Sequence, residues 1–226
     1  MVYLKKRLIS IAIVLLFITG VVFILIDPIQ AYLINRTGEE LLEVTATEME
    51  LNDAIDVSKV SFDFNEAVTL SIEDVMKAQL NRDDIYAIGS IIVPSVKMQL
   101  PIVKGVGKYS LAVGAGTMKP YQKMGVGNYA LAGHYFKDKN DLLFSPLYNT
   151  AIGDVVYITN KSSVYEYKIS KKNVIAATDV YIINDVAHQV LLTLITCAND
   201  GVDRLAIQAE FIGEHSFEEF ENILFE

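Results

Sequence analysis

The chain has 226 residues, 52% of them hydrophobic and 21% charged, with a formal net charge of −9. That is enough apolar content for one core of ordinary domain size, and acidity without a basic stripe outside residues 5–7 argues against a nucleic-acid partner. The single cysteine, Cys197, rules out an internal disulfide and leaves its thiol as either an inert core residue or a reagent.

Residues 8–26, LISIAIVLLFITGVVFILI, carry no charge. At 1.5 Å per helical residue they extend about 28 Å, close to the ~30 Å hydrocarbon layer of a bilayer. Lys5, Lys6 and Arg7 precede this run and Asp27 and Pro28 follow it. The positive-inside rule therefore places residues 1–7 in the cytoplasm and the rest outside the cell membrane. A cleaved signal peptide has a shorter apolar region ending in a small-x-small site. Residues 27–36 offer only Ala31, so 8–26 reads as an uncleaved single-pass anchor.

Residues 27–60 read as an extracytoplasmic stalk, acidic and with helical spacing at Leu41, Leu42, Met49 and Leu51 but no globular pattern. The stretch SIEDVMKAQL, 71–80, opens with Ser-x-x-Asp, an approximation to the capping box, so a short helix is predicted from near Ser71. Val75, Ala78 and Leu80 are the residues it would lay on a domain. From residue 85 the texture becomes short β-branched and aromatic runs separated by turn residues: AIGSIIV, SVKMQLPIV, YALAGHYF, DVVYITN, VYEYKIS, QVLLTLITC and RLAIQAEFI. These are strands. VYEYKIS alternates and should be half exposed, whereas LLTLIT is apolar almost throughout and should be central. Seven or eight short strands without long helices between them predict an all-β barrel or sandwich.

Several signatures are weak or missing. GVGNYA, 125–130, fits a dinucleotide fingerprint formally, but that loop must open a helix and here it leads into a strand. GxSxG, HExxH and paired Cys or His spacings are absent, so no metal site is indicated. What remains is Cys197, three histidines and Arg204. A nucleophilic thiol needs a base or cation nearby, usually histidine. His134, beside the small residues of LAGH, is best placed; His188 in NDVAHQ and His215 in the acidic tail stay open. Arg204 is either a surface charge beside acidic neighbours or a guanidinium that stabilises an oxyanion formed near the thiol.

TLITC, 193–197, with Arg204 beginning the next strand and ALAGH, 130–134, about sixty residues upstream, resembles the sortase signature. FDF (62–64), IGSIIVPSVKMQLPIVKG, GAGTM, MGVGNYALAGHYF, LLFSPL, GDVVYIT and TDVYII resemble class A sortases in order and spacing, so the resemblance covers residues 61–212. It implies a closed eight-stranded β-barrel with short helices in residues 61–226, behind the N-terminal transmembrane helix. The implied activity is that of a membrane-bound cysteine transpeptidase of Gram-positive bacteria. Cys197 would be the nucleophile, His134 the general acid and base, and Arg204 the group that positions substrate and stabilises the oxyanion. The implied partners are secreted proteins with a C-terminal LPXTG-type signal, cleaved between Thr and Gly, and the amine of a peptidoglycan precursor, lipid II. Ala132, Thr193, Ile195, Val180, Ile182 and Ile183 would line the substrate groove, with the backbone N–H of Thr196 at the oxyanion.

Some class A sortases take calcium through carboxylates before the catalytic His and on the following loop. MKPYQKMGVGNYALAGH, 118–134, has no Asp or Glu, so no calcium or other cofactor is expected. The alternatives are a class D or pilus-type sortase with a variant signal or acceptor, or an inactive surface-binding module. The chain has no Trp, and its acidic tail is too short to span a membrane, unlike the lid motif and second membrane segment of pilus-type enzymes.

Overall fold

The β-branched runs close on themselves. In the computed structural model, which describes residues 2–64 and 70–224, eight strands form a barrel: β1 (Ala87–Val93), β2 (Met98–Val103), β3 (Ala115–Thr117), β4 (Asn128–Ala132), β5 (Val155–Thr159), β6 (Ser163–Ala176), β7 (Leu191–Ala198) and β8 (Asp203–Ser216). Their order round the wall is β1-β2-β3-β4-β7-β8-β6-β5, closed by pairing of β1 with β5. The closed eight-stranded β-barrel expected from the sequence is therefore present. Ile91, Ile102, Leu131, Tyr167, Leu194 and Ile207 fill its interior, as a barrel of this size requires. Every residue of LLTLIT is buried, as foreseen for a central strand, while VYEYKIS belongs to the much longer β6, which bulges opposite β8 after Glu166 and after Ile169.

Two pairings are parallel, β2 with β3 and β4 with β7. A parallel pair needs a long crossover, and here residues 133–190 supply it while contributing β5 and β6. The consequence decides the site. The C-terminal ends of β4 and β7 lie side by side, and the antiparallel β8 begins just after β7 ends.

A second hydrophobic core lies outside the barrel. The N-terminal helix α1 runs Val2–Leu42, well beyond the uncharged run, with Pro28 inside it. Ile34 and Leu41 are buried together with Val75 and Ala78, with Val103 and Val113 of the barrel side, and with Leu142 and Leu143. Gly38 sits where an added Cβ would lie 3.4 Å from the Val113 carbonyl oxygen, so helix and barrel approach closely. Glu40 of α1 accepts ion pairs from Arg36 and from Arg82. The next helix, α2 (Ala46–Asp53), has a Thr45–Glu48 capping box, buries Met49, and donates from Asn52 Nδ2 to the Ala87 carbonyl at 2.8 Å. Lys104, nearly buried, donates to the carbonyls of Asp53 and Ile55. Residues 27–60, read as a stalk from sequence, thus pack largely against the domain.

Helix α3 (Ile72–Leu80) starts as expected, with Ser71 as N-cap and a reciprocal Ser71–Asp74 box. Val75 and Ala78 pack inward, but Leu80 is 83% exposed, because the helix ends there and its last turn faces solvent. Short α4 (Lys108–Leu111) follows β2, and α5 (Phe217–Leu224) ends the described chain, packing Phe217 and Phe220 on Ile92 and Val164.

Candidate functional site

The β7 strand alternates, so its residues divide between the two faces of the wall. Leu192 and Leu194 face the barrel interior, while Ile195 and Cys197 open onto a groove on the outside. Cys197 pairs in register with Arg204 of β8. On the other side β4 stops at Ala132, which pairs with Ile195, and Gly133 still donates its N–H to the Ile195 carbonyl at 3.1 Å. Carrying that register two residues on brings His134 opposite Cys197. His134, Cys197 and Arg204 therefore stand in a row across three neighbouring chain segments, and all three line the same groove.

Each is held by its surroundings. Thr196 donates its hydroxyl to the Gly133 carbonyl at 2.7 Å, which locks the segment carrying the histidine to the strand carrying the thiol. Phe144 covers Gly133 so closely that a Cβ there would come 2.6 Å from the ring, and its N–H donates to the His134 carbonyl at 3.0 Å. Tyr148 donates its phenol to the Cys197 carbonyl at 2.9 Å and packs at a tilt against Tyr135. Arg204 donates from Nη1 to the carbonyls of Gly201 and Asp203, at 2.8 and 2.9 Å. Those bonds tie the guanidinium to the 3-10 turn Asn199–Gly201 between β7 and β8, where Asn199 (φ +48°) and Gly201 (φ +89°) are left-handed. Asn and Gly tolerate that conformation better than other residues.

Burial pushes the His134 imidazole down to about 4, with the field of Asp74 opposing the shift. Desolvation of the charged form is the larger of the two influences. At neutral pH the histidine is an uncharged base facing a thiol. Burial also raises the Tyr148 phenol, followed by the influence of Tyr135 and Cys197, which keeps it a donor.

The groove is an open cleft with a cavity volume of about 110 Å³. Its floor is apolar, from Ala132, Ile175 and Ile195, and its far wall is the 3-10 segment Val180–Ile183, with Val180, Ile182 and Ile183 all contributing. Thr196 also reaches it. Thr193 does not: strand parity gives it the right face, but it is fully buried and its hydroxyl donates to Asn128 Oδ1 at 2.7 Å. Sequence reasoning missed Phe64, Leu111 and Met118, which line the groove from segments far away in the chain, and Tyr148, for which SPLYN carries no local signal. The other two histidines are elsewhere. His188 is exposed before the start of β7, and His215 pairs with Glu166 at 3.1 Å and stacks on Phe220.

Side-chain hydrogen bonds hold the Val180–Ile183 wall. Asn128 donates from Nδ2 to the carbonyls of Ile182 and Asn184, at 2.9 and 3.1 Å. Asp185 accepts from the Asn128 N–H at 2.9 Å and from Lys119 Nζ at 2.6 Å. The segment before His134 thus presents a lysine, not carboxylates, to the following loop. A calcium ion does not fit that donor set, and no group of three or more His, Cys, Asp or Glu side chains gathers among the described residues.

Comparison with known proteins agrees with this fold. The sortase domain family matches residues 91–212. A Sortase A of Streptococcus agalactiae is 36% identical over 205 residues, covering 88% of this chain and 82% of that protein. A Sortase A of Bacillus anthracis is 30% identical over 214 residues, covering 92% and 97%. The crystal structure of Listeria monocytogenes sortase A superposes with a TM-score of 0.58 at 36% identity, covering 62% of this chain and 97% of that one. A sortase D5 transpeptidase of Clostridium perfringens superposes at 0.56 with 20% identity, over 79% and 100%, a likeness of fold.

Proposed function

Because the chain belongs to the sortase family, as a cell-wall sorting cysteine transpeptidase of the sortase A kind, we propose that Cys197, His134 and Arg204 are its catalytic residues. The observation that supports this most is their alignment across β4, β7 and β8 at the mouth of one apolar groove.

Neutral His134 takes the Cys197 proton as the sulfur attacks the Thr carbonyl of an LPXTG-type signal. Arg204 and the Thr196 backbone N–H donate to the oxyanion. The imidazolium formed in the buried site is strongly acidic, and it returns its proton to the departing Gly amine, leaving a thioester. An amine of a peptidoglycan precursor, lipid II, then attacks the thioester, and His134 accepts a proton from it and passes it to the departing Cys197 sulfur, restoring the thiol. The chemistry suits sulfur, since a thioester reacts readily with amines and lets aminolysis compete with water. The signal's Leu and Pro lie against Ala132, Ile195, Val180, Ile182 and Ile183; Thr193 acts from beneath, fixing Asn128 and so the wall.

Helix α1 has one stretch long and apolar enough to cross a membrane. We place residues 1–7 in the cytoplasm and the barrel outside, on the charge pattern of Lys5, Lys6 and Arg7. We expect no calcium requirement, since Lys119 already pairs with Asp185 beneath the wall.

The test is incubation of the full chain in detergent with a quenched LPXTG peptide and triglycine. Cleavage with formation of the ligated peptide is expected. If neither appears, the functional reading fails.

A further inference from the structure

Residues 27–60 follow the membrane-crossing run, yet they do not behave as a tether. Helix α1 continues from the uncharged run into the second core with no break. Asp27 is the first charged residue after that run, so it marks the level at which the helix leaves the hydrocarbon. Only seven residues later Ile34 is 1% exposed in the second core, a rise of about 10 Å, only a few ångströms more than the ~5–7.5 Å headgroup layer of one leaflet.

The part of the domain that meets α1 here is the loop leaving His134. Phe136, Leu142 and Leu143 share the core with Ala31, Leu33 and Ile34. Lys139 of that loop donates to the Asp27 carbonyl at 3.2 Å, lies 3.5 Å from its carboxylate, and covers the Phe136 ring. The loop that shapes the histidine side of the site is therefore fastened at the membrane exit.

We propose that residues 27–42 are a rigid post that holds the catalytic groove at one height and orientation above the lipid headgroups, so that the thioester meets an acceptor amine carried on a lipid. The inference rests on the function and topology proposed above. A flexible stalk would spread the groove through a volume of membrane-adjacent space, lowering the effective concentration of a surface-bound acceptor. A fixed post concentrates it.

The test uses the full chain in liposomes, with two insertions between Ile26 and Asp27 that leave the docked segment intact. One is a six-residue Gly-Ser segment, whose mean span is about 13 Å. The other is a seven-residue helical segment, which lifts the domain by about 10 Å and turns it only about 20°. Transfer from an LPXTG peptide is read onto soluble triglycine and onto triglycine conjugated to phosphatidylethanolamine. Both insertions should leave the soluble reaction within twofold and cut the lipid-linked reaction at least fivefold. Unchanged lipid-linked transfer in both variants overturns the proposal. Equal loss in both reactions overturns it too, because the post would then act through the fold alone. A native chain inactive on soluble triglycine would instead refute the functional reading, and one that fails to float with the liposomes would refute the anchor.

Discussion

The two sides of the groove are built by different means. Cys197 and Arg204 stand on β7 and β8, adjacent strands joined through eight consecutive residue pairs and backed by the barrel core. His134 stands two residues beyond the end of β4, on a loop whose support comes from Phe144 and from the second core shared with α1 and α3. The Cys197 thiol is thus positioned by regular hydrogen bonding and the His134 ring by packing of segments distant in the chain. Strand geometry fixes a side chain by local rules, whereas packing transmits changes made elsewhere. The histidine side is where remote substitutions should reach the chemistry.

Removing the groups on the strand side should cost most. Cys197→Ala should abolish peptide cleavage, since no other thiol exists in the chain. Arg204→Ala should lower kcat by about 10²–10³, the usual effect of losing one oxyanion donor; an effect below tenfold would return Arg204 to its alternative role as a surface charge. On the histidine side, Ile34→Ala lies far from the groove in sequence but should destabilise the protein by about 2–5 kcal/mol in chemical denaturation, the range for truncating a buried aliphatic side chain. Loss of less than 0.5 kcal/mol would mean that α1 rests on the domain without supporting it.

The pH profile probes the same side. With His134 pushed down to about 4 by burial, the neutral base persists well below the ordinary histidine range, so the acid limb of kcat/KM should fall below pH 5 and not near 6.5. Tyr148→Phe should be the smallest effect. It removes one hydrogen bond to the Cys197 carbonyl, of the order of 0.5–1.5 kcal/mol, and should lower kcat a few fold with KM unchanged. Chelation by EGTA should change nothing, whereas Lys119→Ala should raise KM by freeing the wall that Asp185 holds.

The same division governs how much could be read from sequence. The strand side was legible: β1 was marked to the residue, the apolar β7 to within a residue or two, and Cys197 at its end with Arg204 on the next strand formed a local pattern. Helix α3 was legible because Ser71 and Asp74 form a cap from neighbouring residues. The second core was not. Asp27, Pro28 and the acidic residues from 39 onward break the apolar pattern of α1, and the burial of Ile34 and Leu41 depends on Val103, Leu142 and other partners far along the chain. Thr193 shows the limit of parity, since alternation gives the face of a side chain but not what covers it. Three-residue β3 and the groove-lining Phe64 had no periodicity to reveal them.

The central claim is a thioester on Cys197, and intact mass spectrometry of the full chain mixed with an LPXTG peptide tests it most directly. The account predicts an added mass equal to the peptide's acyl fragment through Thr, located on Cys197, discharged by triglycine and absent in Cys197→Ala. Product formation by Cys197→Ala, or turnover with the acyl group on another residue, would contradict it.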